Sequence, residues 1–241
     1  MKGKRSKWFD LELAVTTEGP TVIRIYGEIA GGWLRDEEST SAAEFQRALD
    51  AVPGDLELHI NSPGGEVFEG FAIYNQLAAF RAKGRRVTGY VDGSAMSIAS
   101  VLLMACDRIV MPANSYQMIH FPWLMVVGNA EKLIAAAADL EKLGGTIAEI
   151  YATRSGRPVE EIRELLKGAP GADGSFLTAD ECVELGIADE VAPGVAAAAC
   201  VGAERWRGVP AALKTEVSAT VDTDDYADWC AIVENLKTKG M

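Results

Sequence analysis

Five short runs rich in β-branched residues punctuate the first half of this chain, and stretches with helical spacing lie between them. TVIRIYG (21–27), LELHIN (56–61), RVTGYVD (86–92), RIVM (108–111) and YQMI (116–119) read as strands. SAAEFQRALDA (41–51) and VFEGFAIYNQLAAFRAK (67–83) read as amphipathic helices, the second with Val67, Phe71, Tyr74 and Leu77 recurring as a core stripe. Strands alternating with helices specify βαβ units, so the chain is expected to be α/β with a mostly parallel sheet. With 241 residues, 49% of them apolar, it is long enough to bury one large core.

A long helical pattern runs from 129 to 155 with Leu133, Ala137, Leu140, Ile147 and Ile150 on its apolar side, and Gly144-Gly145 is expected to kink or break it. So much apolar surface calls for a packing partner, another subunit being the natural one. Beyond Val191 the chain turns small-residue and Gly/Pro-punctuated, ending in a short acidic helix-like stretch with Tyr226, Trp229 and Ile232. Residues 1–191 therefore read as one domain and 192–241 as an appendage.

The net charge of −12 argues against nucleic acid, which needs clustered Lys and Arg against its phosphates. Cys106, Cys182, Cys200 and Cys230 show neither C-x-x-C spacing nor partner histidines, as expected of reduced thiols in a cytoplasmic protein. The basic start resembles a leader until Asp10 and Glu12 interrupt it, and the apolar run near 98–105 is too short to span a bilayer.

Chemistry concentrates at strand ends. Asn61-Ser62-Pro63-Gly64-Gly65 closes one strand, and paired glycines let a backbone approach a ligand with its N–H groups free. Gly93-Ser94-Ala95-Met96-Ser97-Ile98-Ala99-Ser100 follows another and opens an all-apolar, hence buried, helix, SIASVLLMACD. There Ser97 is either a nucleophile beside unsatisfied N–H groups or an ordinary N-cap, and Ser94 and Ser100 compete for the chemical role. A serine nucleophile needs a base, and the chain has two histidines. His59 lies within a strand, on the face opposite Leu58 and Ile60; His120 ends a strand before Phe121-Pro122 and is the better candidate.

INSPGG, GSAMSIAS, MIHFP and FLTADECVELGIADEV, in this order over roughly residues 20–191, resemble the proteolytic subunit of Clp protease. The texture of GEVFEGFAIYNQL, IHFPW and GNAEKL is similar to the Clp-related head maturation proteases of phages and prophages. This resemblance implies the Clp/crotonase-like fold with a long handle-type helix, and serine endopeptidase activity through an acyl-enzyme without metal or organic cofactor. By position it implies Ser97 as nucleophile, His120 as base, and the N–H groups of Gly65 and Ile98 as oxyanion hole. Its acid falls on Gly174 by a gap-free count from Phe176-Leu177, so a one-residue adjustment is needed to bring in Asp173, the nearest carboxylate. Phe121 and Trp123, beside His120, are expected to line the substrate cleft. The implied partners are polypeptides, for the phage-like variety a capsid or scaffold precursor, a homo-oligomeric ring (a heptamer or double ring), and an AAA+ unfoldase that the phage-like variety can dispense with; neither nucleic acid nor membrane is expected.

Two relatives of that fold fit less well. Signal peptide peptidases need a lysine base, and none lies between Gly84 and Glu131; thioester hydratases rely on acidic groups instead of a Ser-His pair. A catalytically silent shell protein that keeps the fold for assembly is the reading from another class.

Overall fold

A computed structural model describes residues 9–12, 20–32 and 39–194. In chain order the elements are β1 (Phe9–Glu12), β2 (Thr21–Tyr26), α1 (Ala42–Asp50), β3 (Leu56–Ser62), α2 (Val67–Ala82), β4 (Val87–Met96), α3 (Ile98–Leu103), β5 (Arg108–Pro112), β6 (Tyr116–Ile119), α4 (Ala130–Ser155), α5 (Val159–Lys167), β7 (Ser175–Thr178), α6 (Ala179–Leu185) and β8 (Glu190–Ala192). The chain is α/β as expected: β2, β3, β4, β5 and β8 run parallel in that order, with β1 antiparallel on the outer side of β2. No described helix is long and apolar enough to cross a membrane.

All five expected strands form, and β4 runs further than its composition suggests. Gly93, Ser94, Ala95 and Met96, read as the end of a strand and a turn, continue it. Gly and Ser are poor strand formers, but two neighbours override propensity here. Thr88 to Tyr90 pair with β5, and then Ser94 to Met96 pair in parallel with β6. β6 in turn pairs antiparallel with β7, Ile119 lying opposite Ser175. β4 is thus shared between the main sheet and a β6–β7 ribbon that branches from it.

Alternation along the strands separates two faces. Ile23 and Ile25 of β2, Leu56, Leu58 and Ile60 of β3, and Val87 and Val91 of β4 are buried in one continuous core with Phe45 of α1 and with α2 and α3. Arg24, Tyr26, Glu57, His59, Tyr90 and Asp92 occupy the other face, which is only half-buried. A purely parallel sheet is usually covered on both sides, so this polar face is a departure. On α2 the deepest stripe is Gly70, Ile73, Leu77 and Phe80, one step round from the expected one: Leu77 belongs to both, while Val67, Phe71 and Tyr74 are partly buried against the core. Gly70 permits close contact with α3, since a Cβ there would lie 2.1 Å from Ile98 Cγ1.

No break occurs at Gly144-Gly145, and α4 runs as one helix. Gly144 serves packing instead: a Cβ there would come within 2.6 Å of the Phe121 ring. The expected appendage lies, from residue 195 on, outside the described residues, as do Cys200 and Cys230. Cys106 and Cys182 are free and buried, and burial pushes the Cys106 thiol up to about 12, which keeps it protonated and inert.

The turn after β3 generates a stability prediction. Gly64 has φ 93°, and a Cβ on it would lie 2.6 Å from Ser97 Cβ and 2.7 Å from the Met96 carbonyl oxygen; Gly84 also has positive φ, 81°, but faces open space. Gly84→Ala should therefore show the conformational penalty alone, about 1–2 kcal/mol or a few degrees in Tm. Gly64→Ala should lose at least twice as much in a thermal melt, and equal losses would mean that the contact between turn and serine carries no weight.

Candidate active site

β4 ends at Met96 and α3 begins at Ile98, leaving Ser97 to make the whole strand-to-helix turn. It does so at φ 54°, ψ −131°, the sole positive φ outside glycine among the described residues. Such a conformation costs about 1–3 kcal/mol and persists only where the surroundings impose it. Here the Ser97 N–H donates to the Met118 carbonyl of β6 (2.8 Å), while the Ser97 carbonyl accepts from the Ser100 N–H (3.1 Å) and the Ser100 hydroxyl (2.6 Å). The Ser97 side chain makes no capping bond to α3, which removes the ordinary N-cap reading. The turn directs its hydroxyl away from the helix, as in other strand–turn–helix nucleophile elbows.

That hydroxyl meets His120, its Oγ 2.7 Å from Nε2. His120 follows the last residue of β6, and β6 lies beside the end of β4, so adjacent strands deliver the two groups. Only 6% of His120 is exposed, and this burial lowers its pKa from an ordinary 6.5 to about 4, against the opposing pull of a hydrogen bond with the Phe121 backbone and the charge of Asp173. At neutral pH the imidazole is uncharged, and with its proton on Nδ1 it accepts at Nε2 from the serine.

The β6–β7 register fixes what faces His120. Extending Ile119 opposite Ser175 by one step sets Gly174 against His120. A Cβ at 174 would lie 2.3 Å from the Ile119 carbonyl oxygen and 2.5 Å from His120 Cβ, so no carboxylate fits at the position reached by the gap-free count. Asp173, next along and half-buried, is close enough for its charge to act on His120.

The glycine turn after β3 supplies the facing wall. Asn61 Oδ1 accepts from the Ser94 N–H (3.2 Å), and Ser62 Oγ donates to the Gly27 carbonyl (2.5 Å) and accepts from the Gly64 N–H (3.1 Å). Gly65 bridges to Ile29, where a Cβ would lie 2.0 Å from the carbonyl oxygen, so only glycine fits. The N–H of Ile98, the first residue of α3, has no acceptor within its helix.

A cleft of about 390 Å³ opens over these groups, bounded by Glu28, Gly65, Val67, Ser97, His120 and Trp123. Trp123 stands at it, 65% exposed. Phe121 does not: its ring turns to Gly144 and under the Arg163 guanidinium (5.1 Å), and Pro122 lines the cleft instead. Beneath Ser97 and His120 a smaller recess reaches down to Tyr151.

The competing residues are occupied elsewhere. The Ser94 hydroxyl is buried against Asn61 (3.4 Å) and that of Ser100 against Tyr151 (2.6 Å). His59 bonds Asp92 (2.8 Å) and stacks on Tyr90 (4.7 Å between centroids), while Asp92 accepts from the Tyr26 hydroxyl, all on the polar sheet face. Among the described residues no group of three or more His, Cys, Asp or Glu could hold a metal ion. Asn61, Ser62 and Tyr151 were not singled out as site residues by sequence reasoning. Asn61 and Ser62 lie inside a motif it did recognise, whereas nothing in the local sequence of Tyr151 signals its place.

A hydroxyl on a neutral imidazole, a nearby carboxylate and backbone N–H groups bordering one cleft form an arrangement suited to nucleophilic attack on a carbonyl. A family model for Clp protease matches residues 44–194. The chain is 34% identical over 141 residues to an ATP-dependent Clp protease proteolytic subunit of Deinococcus radiodurans, a match covering 57% of this chain and 64% of that protein. It is 34% identical over 146 residues to another of the same description from Porphyromonas gingivalis, covering 58% and 61% respectively. It thus spans a little under two thirds of the length of these curated relatives. With the family model running from within α1 to just past β8, the chain belongs to the Clp protease family.

Proposed function

We propose that this chain is a serine endopeptidase, and the observation that carries the reading is the 2.7 Å contact between Ser97 Oγ and a buried, uncharged His120. Ser97 Oγ attacks the peptide carbonyl carbon while His120 Nε2 takes its proton. The carbonyl oxygen, now negative, is held by the N–H groups of Gly65 and Ile98. The C–N bond breaks, His120 returns the proton to the departing amine, and water hydrolyses the acyl-serine by the same steps in reverse. Asp173 stabilises the imidazolium by its charge. The chemistry needs neither metal nor organic cofactor.

The substrates we propose are polypeptides. The exposed run of Trp123, Leu124, Met125, Val126 and Val127, continued by Leu133 and Ile134 on α4, supports assembly into a ring, a heptamer or double ring by family analogy. The motif texture noted above supports a phage or prophage protease acting on a capsid or scaffold precursor in the cytoplasm, with an AAA+ unfoldase dispensable. A catalytically silent shell protein is the reading to which a negative result would lead.

Fluorophosphonate labelling separates the two, since only an activated serine reacts rapidly. The wild-type chain should label and cleave a peptide ester, Ser97→Ala should do neither, and His120→Ala should lose about a thousandfold or more. His59→Ala, in the remote cluster, should be milder. Asp173→Asn should reduce the rate, and an unchanged rate would remove Asp173 from the mechanism. A wild-type chain that fails to label would overturn the enzymatic reading.

The depressed His120 pKa sets the acid limb of kcat/KM. The base works when neutral, so activity should hold as the pH falls past 6.5 and drop only near pH 4; a half-point at 6.5 would contradict the burial argument. Over that same window the unfolded chain binds a proton at His120 that the folded chain does not, so stability should fall with falling pH from about 6.5 to about 4. Light scattering at micromolar concentration should report a closed oligomer of roughly six or more subunits. A monomer that still cleaves folded proteins would refute the ring.

A further inference from the structure

The recess beneath the Ser-His pair is bounded by apolar side chains from four parts of the chain: Val67 of α2, Ile98 and Val101 of α3, Pro122, and Ile147 and Tyr151 of α4. It shares Val67, Ser97, His120 and Pro122 with the open cleft, so it is a side pocket of the same site. Its inner end is core. Ile98, Val101, Ile147 and Tyr151 are each at most 4% exposed. The space within it open to the centre of a water molecule is about 10 Å³. One water needs roughly 10–15 Å³ by that measure, so the recess accommodates one methyl-sized group and little more.

Its floor is also pinned. Ser100 directs its one hydroxyl proton at the carbonyls of Ser97 (2.6 Å) and Met118 (3.3 Å), which leaves the Tyr151 phenol as donor in the 2.6 Å contact between the two hydroxyls. Swinging the ring aside would leave the buried Tyr151 hydroxyl without its acceptor. The floor is therefore tied, through Ser100, to the carbonyl of Ser97 itself.

We propose that Tyr151 determines the cleavage specificity of this site, limiting the residue on the acyl side of the cut bond to glycine, alanine or serine. The proposal rests on the serine-peptidase reading above. The carbonyl under attack lies over Ser97 with its oxygen toward the Ile98 N–H, and Ile98 is also a wall of the recess, so the side chain next to that carbonyl is the one the recess receives. A methyl fits; the branched end of leucine or the ring of phenylalanine meets Tyr151 and Ile147.

The test is a series of acyl p-nitrophenyl esters and peptide anilides differing only in the residue that supplies the carbonyl, run beside fluorophosphonate titration of the serine. Wild-type kcat/KM should be at least about tenfold higher for alanine than for leucine, with phenylalanine lower still, since a misfit of one methylene is already worth about tenfold or more. Tyr151→Leu, which keeps an apolar floor but shortens it, should shift the leucine-to-alanine ratio upward by about tenfold or more. A serine that labels normally in a wild-type chain cleaving after leucine or phenylalanine as fast as after alanine overturns the proposal and leaves the peptidase reading standing. A folded, labelling Tyr151→Leu chain with an unchanged ratio does the same. A serine that does not label overturns both. Should Tyr151→Leu fail to fold, Val101→Ala widens the same recess with a smaller change in the core, and the wild-type series decides without any variant.

Discussion

The geometry of the site depends on one hydrogen bond, from the Ser97 N–H to the Met118 carbonyl. It extends the β4–β6 ladder one residue beyond the strand and anchors the turn that carries the serine to the strand that carries the histidine. β3, β4 and β6 lie side by side in parallel, and their carboxyl ends deliver the glycine turn, Ser97 and His120. Parallel sheets place their sites outside these ends, where strand order changes. Here the change is the point at which β4 leaves β5 and takes up β6. A slip of one residue in β6 would turn His120 to the opposite face and part it from the serine.

Two unfavourable features are held in place by packing. The backbone of Ser97 is strained, and His120 is buried without its charge. The backbone strain is worth about 1–3 kcal/mol, a sizeable share of the stability of an ordinary domain, whereas the buried imidazole costs stability only as the pH falls below about 6.5. Gly64, Gly65 and Gly174 stand where any side chain would strike Ser97, Ile29 or His120, so the space around both groups is filled by backbone. The same close packing that holds the strain excludes an acid from position 174 and leaves Asp173 to act on the imidazole.

Legibility followed range in the chain. Strand alternation and helical spacing are local, and they revealed β2 to β6, α1, α2 and α4. The capping box from Thr178 to Glu181 is equally local and was present to be read as the start of α6, though it was not. What escaped was tertiary. Gly93 to Met96 become strand because β6 lies alongside, and α4 continues through Gly144, where Phe121 fills the space a side chain would need. The choice between Asp173 and Gly174 required the β6–β7 register. Serine and histidine were recognisable because their roles demand particular chemistry beside particular turns. The Tyr151 hydroxyl, bonded to a serine in a different helix, left no pattern to find.

The pairing of β6 with β7 joins Ile119 to Ser175 across the whole of α4 and α5. Closing loops of that length is slow, because chain entropy is lost before the contacts that reward it are made. The hydroxyl–imidazole contact needs β4, β6 and the glycine turn together, and Asp173 arrives only with β7. A nascent or half-folded chain therefore holds an ordinary serine and an ordinary histidine, and the reactive pair comes into being with the completed sheet. Completion of the sheet and assembly of the site are thus one event.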